Sequence, residues 1–181
     1  MQIDDEEYTS VMTERSESTK EQVADLVTGI IYNDVVDYFL GFANETGELI
    51  TNLKLQKLVY YAQAWHLAIY SKPLFNADFE AWVHGPVIRD LYNEYKRWGN
   101  HPIESDVKLE QVIERFDNET LDFLEEVAEV YMPYGAYELE LMVHREAPWI
   151  DARKGYEPDE KCNEIISEES MRDYYGQKVK N

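Results

Sequence analysis

Leu55, Leu58, Val59, Ala62, Trp65 and Ile69 recur at helical spacing, and Tyr60, Ala64 and Leu67 form a second stripe on the same stretch. A helix that is apolar on two sides needs neighbours on two sides. The pattern therefore predicts a central buried helix over about 53–71, opened by Thr51 as N-cap and stopped by Pro73. Beyond it the period changes. Phe79, Ala81 and Val83 alternate with Glu80, Trp82 and His84, which predicts a small β element near 79–83 with Trp82 and His84 on the face away from the core. Gly85 is expected to break that strand and Pro86 to open a helix carrying Val87, Leu91, Tyr95 and Trp98, ended by Gly99.

The remaining segments read mostly as helices. Asn33 or Asp34 starts one with Val35, Tyr38, Phe39 and Phe42 inward, ended by Gly47. The stretch from His101 to Asp117 is ambiguous, and Val107, Leu109 and Val112 allow a strand there. Asn118 is expected to cap a helix carrying Leu121, Leu124, Val127, Ala128 and Tyr131. Leu139, Met142 and Val143 mark another helix, Ala147-Pro148 starts a short one, and Ser167 to Tyr175 forms the last. The fold class is thus mainly α, a compact helical domain around the 53–71 helix with a small β element. The chain divides into an acidic mobile arm (1–18), an extra N-terminal helix (19–32) with Val23 and Leu26 on its apolar side, the main domain (33–176) and a tail (177–181).

Charge narrows the function classes. Asp and Glu number 37 against 17 Lys and Arg, a net charge of −20 in 181 residues. Direct nucleic-acid binding needs cations that displace counterions from phosphates, so DNA, RNA and anionic membranes are expected to be repelled and basic proteins attracted. No run of about 18 apolar residues is available to span a membrane. The acidic start MQIDDEEYTS does not resemble a targeting peptide, and Cys162 has no partner cysteine, so a cytoplasmic protein is expected.

Little in the sequence suggests reaction chemistry. His144-Arg145-Glu146 has the His-x-Glu half of a zinc deaminase, but the Pro-Cys-x-x-Cys half is missing. His66, His84, His101 and His144 form no helical ligand pair, so no metal and no cofactor are expected, and His144 reads as a core histidine bonded to backbone. There is no Gly-x-Ser-x-Gly elbow and no Gly-rich loop after a strand. Lys161 could lower the pKa of Cys162, but no histidine is placed to use the thiol. The chain is expected not to be an enzyme. Its four Trp and 14 Tyr are mostly core material, yet Trp82 and His84, with Arg89 and Tyr92 on the neighbouring helix, could form a rigid amphipathic surface suited to a protein partner.

Three blocks then carry a family resemblance: LKLQKLVYYAQAW with KPLF (Leu53 to Phe75), FEAWVHGPV running into DLY (Phe79 to Tyr92), and ELELMVHREAPWIDAR (Glu138 to Arg153) with a closing II and EESMRDYY. Their order and spacing resemble the Panacea domain, also called the SocA-like antitoxin family and often labelled phage-associated protein. The resemblance covers about Asn33 to Tyr175. It implies a mainly helical antitoxin that neutralises a protein toxin by direct binding, with no catalytic residues to carry over. Family members are associated with unrelated toxins, including nucleotide-transferring enzymes that attack tRNA. Two departures matter. Members often carry a proline where Arg89 stands, and a cation at a helix start is disfavoured by the dipole, so Arg89 should have a contact of its own. Some relatives carry a DNA-binding helix-turn-helix, for which the 32 residues ahead of the matched region are too few and too acidic.

The resulting expectation is a toxin–antitoxin pair in which the cognate toxin, a basic protein encoded by the adjacent gene, is masked by this chain. The nominated contacts are Trp82, His84, Arg89 and Tyr92, with Val23 and Leu26 of the N-terminal helix. One alternative is an adaptor that delivers a toxin to a protease, as one namesake of the family is thought to do; the arm at 1–18 or the extra helix at 20–31 would engage the protease. Another is a phage or mobile-element protein that modulates host defence.

Overall fold

The structure, a computed structural model, describes residues 29–179. The arm at 1–18, and the part of the 19–32 helix that carries Val23 and Leu26, lie outside the described residues. The elements run α1 (Tyr32–Thr46), α2 (Asn52–Tyr70), β1 (Glu80–Trp82), β2 (Gly85–Val87), α3 (Arg89–Tyr95), α4 (Leu109–Val112), α5 (Asn118–Tyr131), α6 (Ala136–Val143), α7 (Ala147–Ala152) and α8 (Glu168–Val179). This is the mainly helical domain with a small β element that the hydrophobic pattern predicts.

Helix α2 is the axis. Thr51 caps it by accepting from the Lys54 backbone N–H at 3.2 Å. It is released at Ser71, which takes a left-handed conformation two residues before Pro73. Both apolar stripes are buried, with Leu55, Leu58, Val59, Tyr60, Ala62 and Ala64 all at 0% exposure. The polar residues between the stripes are buried as well, and each holds a piece of surrounding backbone. The Gln63 amide N–H donates to Phe75 O at 2.9 Å and its oxygen accepts from Leu74 N at 2.9 Å, fixing the loop after Pro73. Gln56 accepts from Ile88 N at 2.9 Å, and Lys54 Nζ donates to Met132 O at 2.6 Å. Buried polar groups must be satisfied, so these side chains tie three surrounding segments to one helix.

Around this axis α1, α5, α6 and α8 pack directly on α2, with α8 making the most extensive contact. Helix α1 ends where Gly47 turns left-handed (φ +76°) and returns its N–H to Ala43 O at 2.9 Å. On the aromatic side of α2, Tyr61 stacks on Tyr131 at 4.0 Å, and Trp65 Nε1 donates to the Tyr131 hydroxyl at 2.6 Å. Glu146 lies in the same region, 6% exposed, and accepts from the hydroxyls of Tyr61 and Tyr175, so α8 is fastened through a carboxyl group. Burial pushes that carboxyl up to about 7, against the opposing hydrogen bond from Tyr175.

Four local expectations need correction. Gly85 does not end the β element: Glu80–Trp82 pairs antiparallel with Gly85–Val87, registering Glu80 with Val87, Ala81 with Pro86 and Trp82 with Gly85. The turn is Val83-His84, so Val83 leaves the inward row and sits half-buried in the turn. Pro86 therefore lies in a strand, and the helix starts at Arg89. Proline is tolerated because Ala81, its partner, directs its N–H to Glu164 O (2.8 Å) and its carbonyl to Arg153 Nη1 (2.8 Å), away from β2. Third, the 101–117 stretch holds no strand. Ile103 N bonds Ile50 O at 2.8 Å, and Leu109–Val112 forms a short helix whose backbone closes on Gly41 of α1. A Cβ at Gly41 would lie 3.0 Å from Leu109 Cα. Fourth, the cap of α5 is Asp117, one residue earlier than expected, with its carboxylate accepting from Thr120 N at 2.7 Å.

Candidate partner-binding site

The β1–β2 hairpin presents two chemically different faces. Phe79 and Ala81 are fully buried, and Ile166 (2% exposed) joins them by donating its N–H to Phe79 O at 2.8 Å. The opposite face carries Glu80 and half-buried Trp82. Trp82 Nε1 donates to Glu80 Oε2 at 2.7 Å. Arg89, at the first turn of α3, donates to the same carboxylate through Nε (2.8 Å) and Nη2 (2.6 Å). Its guanidinium also lies 5.6 Å from the Trp82 ring, and Tyr92 meets that ring edge-on at 4.9 Å. Burial alone would raise the Glu80 carboxyl, but the bonds from Arg89 and Trp82 outweigh it and hold the group below the usual carboxylate range. The contact expected for Arg89 is thus a bidentate ion pair within the chain.

Of the nominated residues, Trp82, Arg89 and Tyr92 come together as one cluster. His84 stands apart at the tip of the turn, its side chain 71% exposed, and bonds Glu140 Oε1 of α6 through Nδ1 at 2.9 Å. The hairpin tip is thereby joined to α6.

Two residues that hold this surface in place were not singled out from the sequence. Lys57 of α2 is fully buried under the hairpin and donates to Pro86 O at 3.1 Å. Burial pushes its ammonium down to about 7, with Glu140 opposing. Gly85 has φ +101°, and a Cβ there would lie 2.5 Å from Lys57 Cε, so the Gly-Pro pair is where the strand meets the lysine. Arg153, 5% exposed, donates to Ala81 O and to the carbonyls of Glu157 (3.0 Å), Pro158 (3.3 Å) and Glu160 (2.7 Å). Trp149 Nε1 donates to Trp82 O at 2.9 Å, and the His144 ring stacks on Trp149 at 4.2 Å. The segment from His144 to Arg153 is accordingly a clasp beneath the hairpin. His144 is half-buried, and burial lowers its pKa. A lysine in a helix that is apolar on both sides, spaced to oppose a Gly-Pro, was the available signal for Lys57.

Elsewhere, a cavity of about 970 Å³ opens between the end of α1 and the 97–106 loop, lined among others by Leu40, Ile50, Arg97, Trp98, His101 and Ile103. Of the nominated residues that the structure describes, none lines it. Among the described residues no three His, Cys, Asp or Glu side chains gather in an arrangement that could hold a metal ion, and no helix is long and apolar enough to cross a membrane.

The whole is a mainly helical domain organised by one buried helix, with an aromatic and charged hairpin face. The chain belongs to the SocA-like antitoxin, Panacea-domain family, whose model matches residues 55–150 and so takes in most of α2, the hairpin and the first part of the clasp. It is similar to Antitoxin SocA of Caulobacter vibrioides (strain NA1000 / CB15N), with 40% identity over 63 residues, 32% of this chain and 34% of that protein. The similarity thus spans about a third of the relative's length. No solved structure matches the chain.

Proposed function

We propose that this chain is the antitoxin of a toxin–antitoxin pair, acting in the cytoplasm without catalysis of its own and neutralising a basic protein toxin by direct contact. Family membership supports the antitoxin role. The observation that carries the rest is the combination of a net charge of −20 with a hairpin face whose aromatic and charged groups are held rigid before any partner arrives. Acidic charge attracts a basic partner and raises its encounter rate, and a preorganised face loses little side-chain entropy on binding. Trp82, Arg89 and Tyr92, with His84 at the edge, are the contacts this reading assigns.

Co-expression with the product of the adjacent gene tests it. Growth rescue together with a co-purifying complex is the expected result. Association should slow as ionic strength rises, since the attraction is screened. Rescue without a complex, or an association rate indifferent to salt, would sink direct electrostatic masking.

A further inference from the structure

From Phe116 to His144 the chain has no Lys or Arg and eight Asp or Glu: Asp117, Glu119, Asp122, Glu125, Glu126, Glu129, Glu138 and Glu140. Helices α5 and α6 lie inside that stretch. Glu119, Glu125 and Glu129 are exposed, and no ion pair among the described residues reaches them. Their field is felt nearby: burial raises the Tyr38 hydroxyl of α1, and Glu125 and Glu129 raise it further. Buried Lys54 lies below the α5–α6 turn, bonded to Met132 O.

Beside this acidic surface lies a row of exposed apolar residues. Tyr134, Tyr137 and Leu141, spaced i, i+3 and i+7 along the turn and α6, are 40%, 68% and 38% exposed. The buried residues of α6 are Leu139 and Val143, on its other side. Glu138 and Glu140 border the row, and Glu140 holds the hairpin tip through His84. Neither tyrosine ring packs on another aromatic ring among the described residues, unlike Trp82 and Tyr92.

We propose that Tyr134, Tyr137 and Leu141 form a docking surface for a cationic amphipathic segment of a partner protein. Charge selects the occupant. A second copy of this chain would bring two acidic rims together across a shared interface, and anionic lipid or nucleic acid would meet the same repulsion. A segment with apolar side chains on one face and Lys or Arg on its flanks covers the row and neutralises the rim together. Tyrosines suit the centre of such a contact because they bury large area with few rotatable bonds. The inference takes from the proposed function only that the partner is a basic protein.

The test uses the full chain and a fluorescein-labelled Leu/Lys peptide about 18 residues long, patterned as an amphipathic helix, with a scrambled peptide of identical composition. Anisotropy should show the patterned peptide binding at least about tenfold more tightly than the scrambled one, and Tyr137→Ser/Leu141→Ser should remove that preference with the circular dichroism spectrum unchanged. Tyr137→Arg, a single exposed change that sets a repelling cation in the row, should do the same. Equal binding of both peptides, binding unaltered in the variants, or a wild-type dimer that Tyr137→Ser dissociates would each overturn the proposal. Growth rescue separates the two readings. Rescue by wild type and equally by Tyr137→Ser/Leu141→Ser overturns the docking surface and leaves the antitoxin reading standing. Absence of rescue by wild type removes that reading, and the peptide titration then decides the surface by itself.

Discussion

The hairpin face and the α6 row are built from similar residues and stand in different states. On the hairpin, Trp82 bonds Glu80, Arg89 bonds Glu80 twice, and Tyr92 packs edge-on against Trp82. Those groups satisfy one another, so the surface is rigid and its charges are largely neutralised locally. On α6, Tyr137 and Leu141 face outward with acidic neighbours. The first region resembles a finished mould, the second an open contact. The comparison teaches that aromatic content alone does not identify a binding surface; what matters is whether the fold already uses the polar tips and ring edges. A rigid face offers affinity through low entropic cost, and an open apolar row offers it through area still to be buried.

The largest expected effect breaks the hairpin at its base. Gly85→Val meets Lys57 and a left-handed backbone together, so urea unfolding should show a loss of about 3 kcal/mol or more, with α6 unchanged in sequence and charge. A loss below about 1 kcal/mol would mean the hairpin shifts freely and is no mould.

The next effect is one of pH. The Lys57 amine titrates near 7 when folded and near 10.5 when unfolded, so between these values the unfolded chain binds more protons and stability rises with pH. The stability of wild type relative to Lys57→Met should therefore grow by roughly 3 kcal/mol between pH 7 and 10. A flat difference would show that no buried ammonium underlies the hairpin. Glu146 works in the opposite sense. Its carboxyl is raised from 4.5 to about 7, so the folded chain binds more protons in that window and stability falls as pH rises through it. Glu146→Gln should remove that fall, leaving the variant more stable than wild type at pH 8 by up to about 3 kcal/mol if its amide oxygen still accepts from Tyr61 and Tyr175. A wild-type advantage at pH 8 would argue that the ionised carboxylate is well satisfied.

The smallest effects sharpen the contrast between the two surfaces. Trp82→Ala should lower stability by about 1–2 kcal/mol, because the ring organises Glu80, Arg89 and Tyr92, whereas Tyr137→Ser should change it by no more than about 0.5 kcal/mol. Both should weaken neutralisation of a cognate toxin, by more than about 1 kcal/mol for Trp82→Ala. Equal stability losses would erase the distinction between a face the fold needs and a row it does not.

Much of the architecture could be read along the chain. The double stripe in 53–71 required a twice-covered helix, Gly47 and Pro73 marked ends, and the Phe79–Ala81 alternation placed a strand where β1 lies. The hairpin was missed because Gly-Pro is a strong local signal for a break and a helix start, and that signal yields when tertiary contacts supply the strand's partners. Here Lys57 fills the space that only glycine leaves, Arg153 supplies to the Ala81 carbonyl the donor that proline lacks, and Glu164 accepts the Ala81 N–H. The 101–117 stretch was illegible for a related reason: its few apolar residues fit either period, and the close approach to Gly41 decided for a helix.

Composition and periodicity by themselves determined that this is an acidic, mainly helical domain with one central helix, because net charge is a sum over residues and hydrophobic period is a matter of their order, and neither needs coordinates. They could also collect Trp82, Arg89 and Tyr92 as candidates, since a short strand and the helix after it lie close along the chain. Which of those groups is already engaged, that a lysine lies buried beneath a Gly-Pro, and that the 116–144 stretch pairs an acidic rim with an uncovered apolar row were decided only by the tertiary structure. The reason is that hydrogen-bond satisfaction, desolvation and exposure depend on what residues far apart in sequence place beside each group.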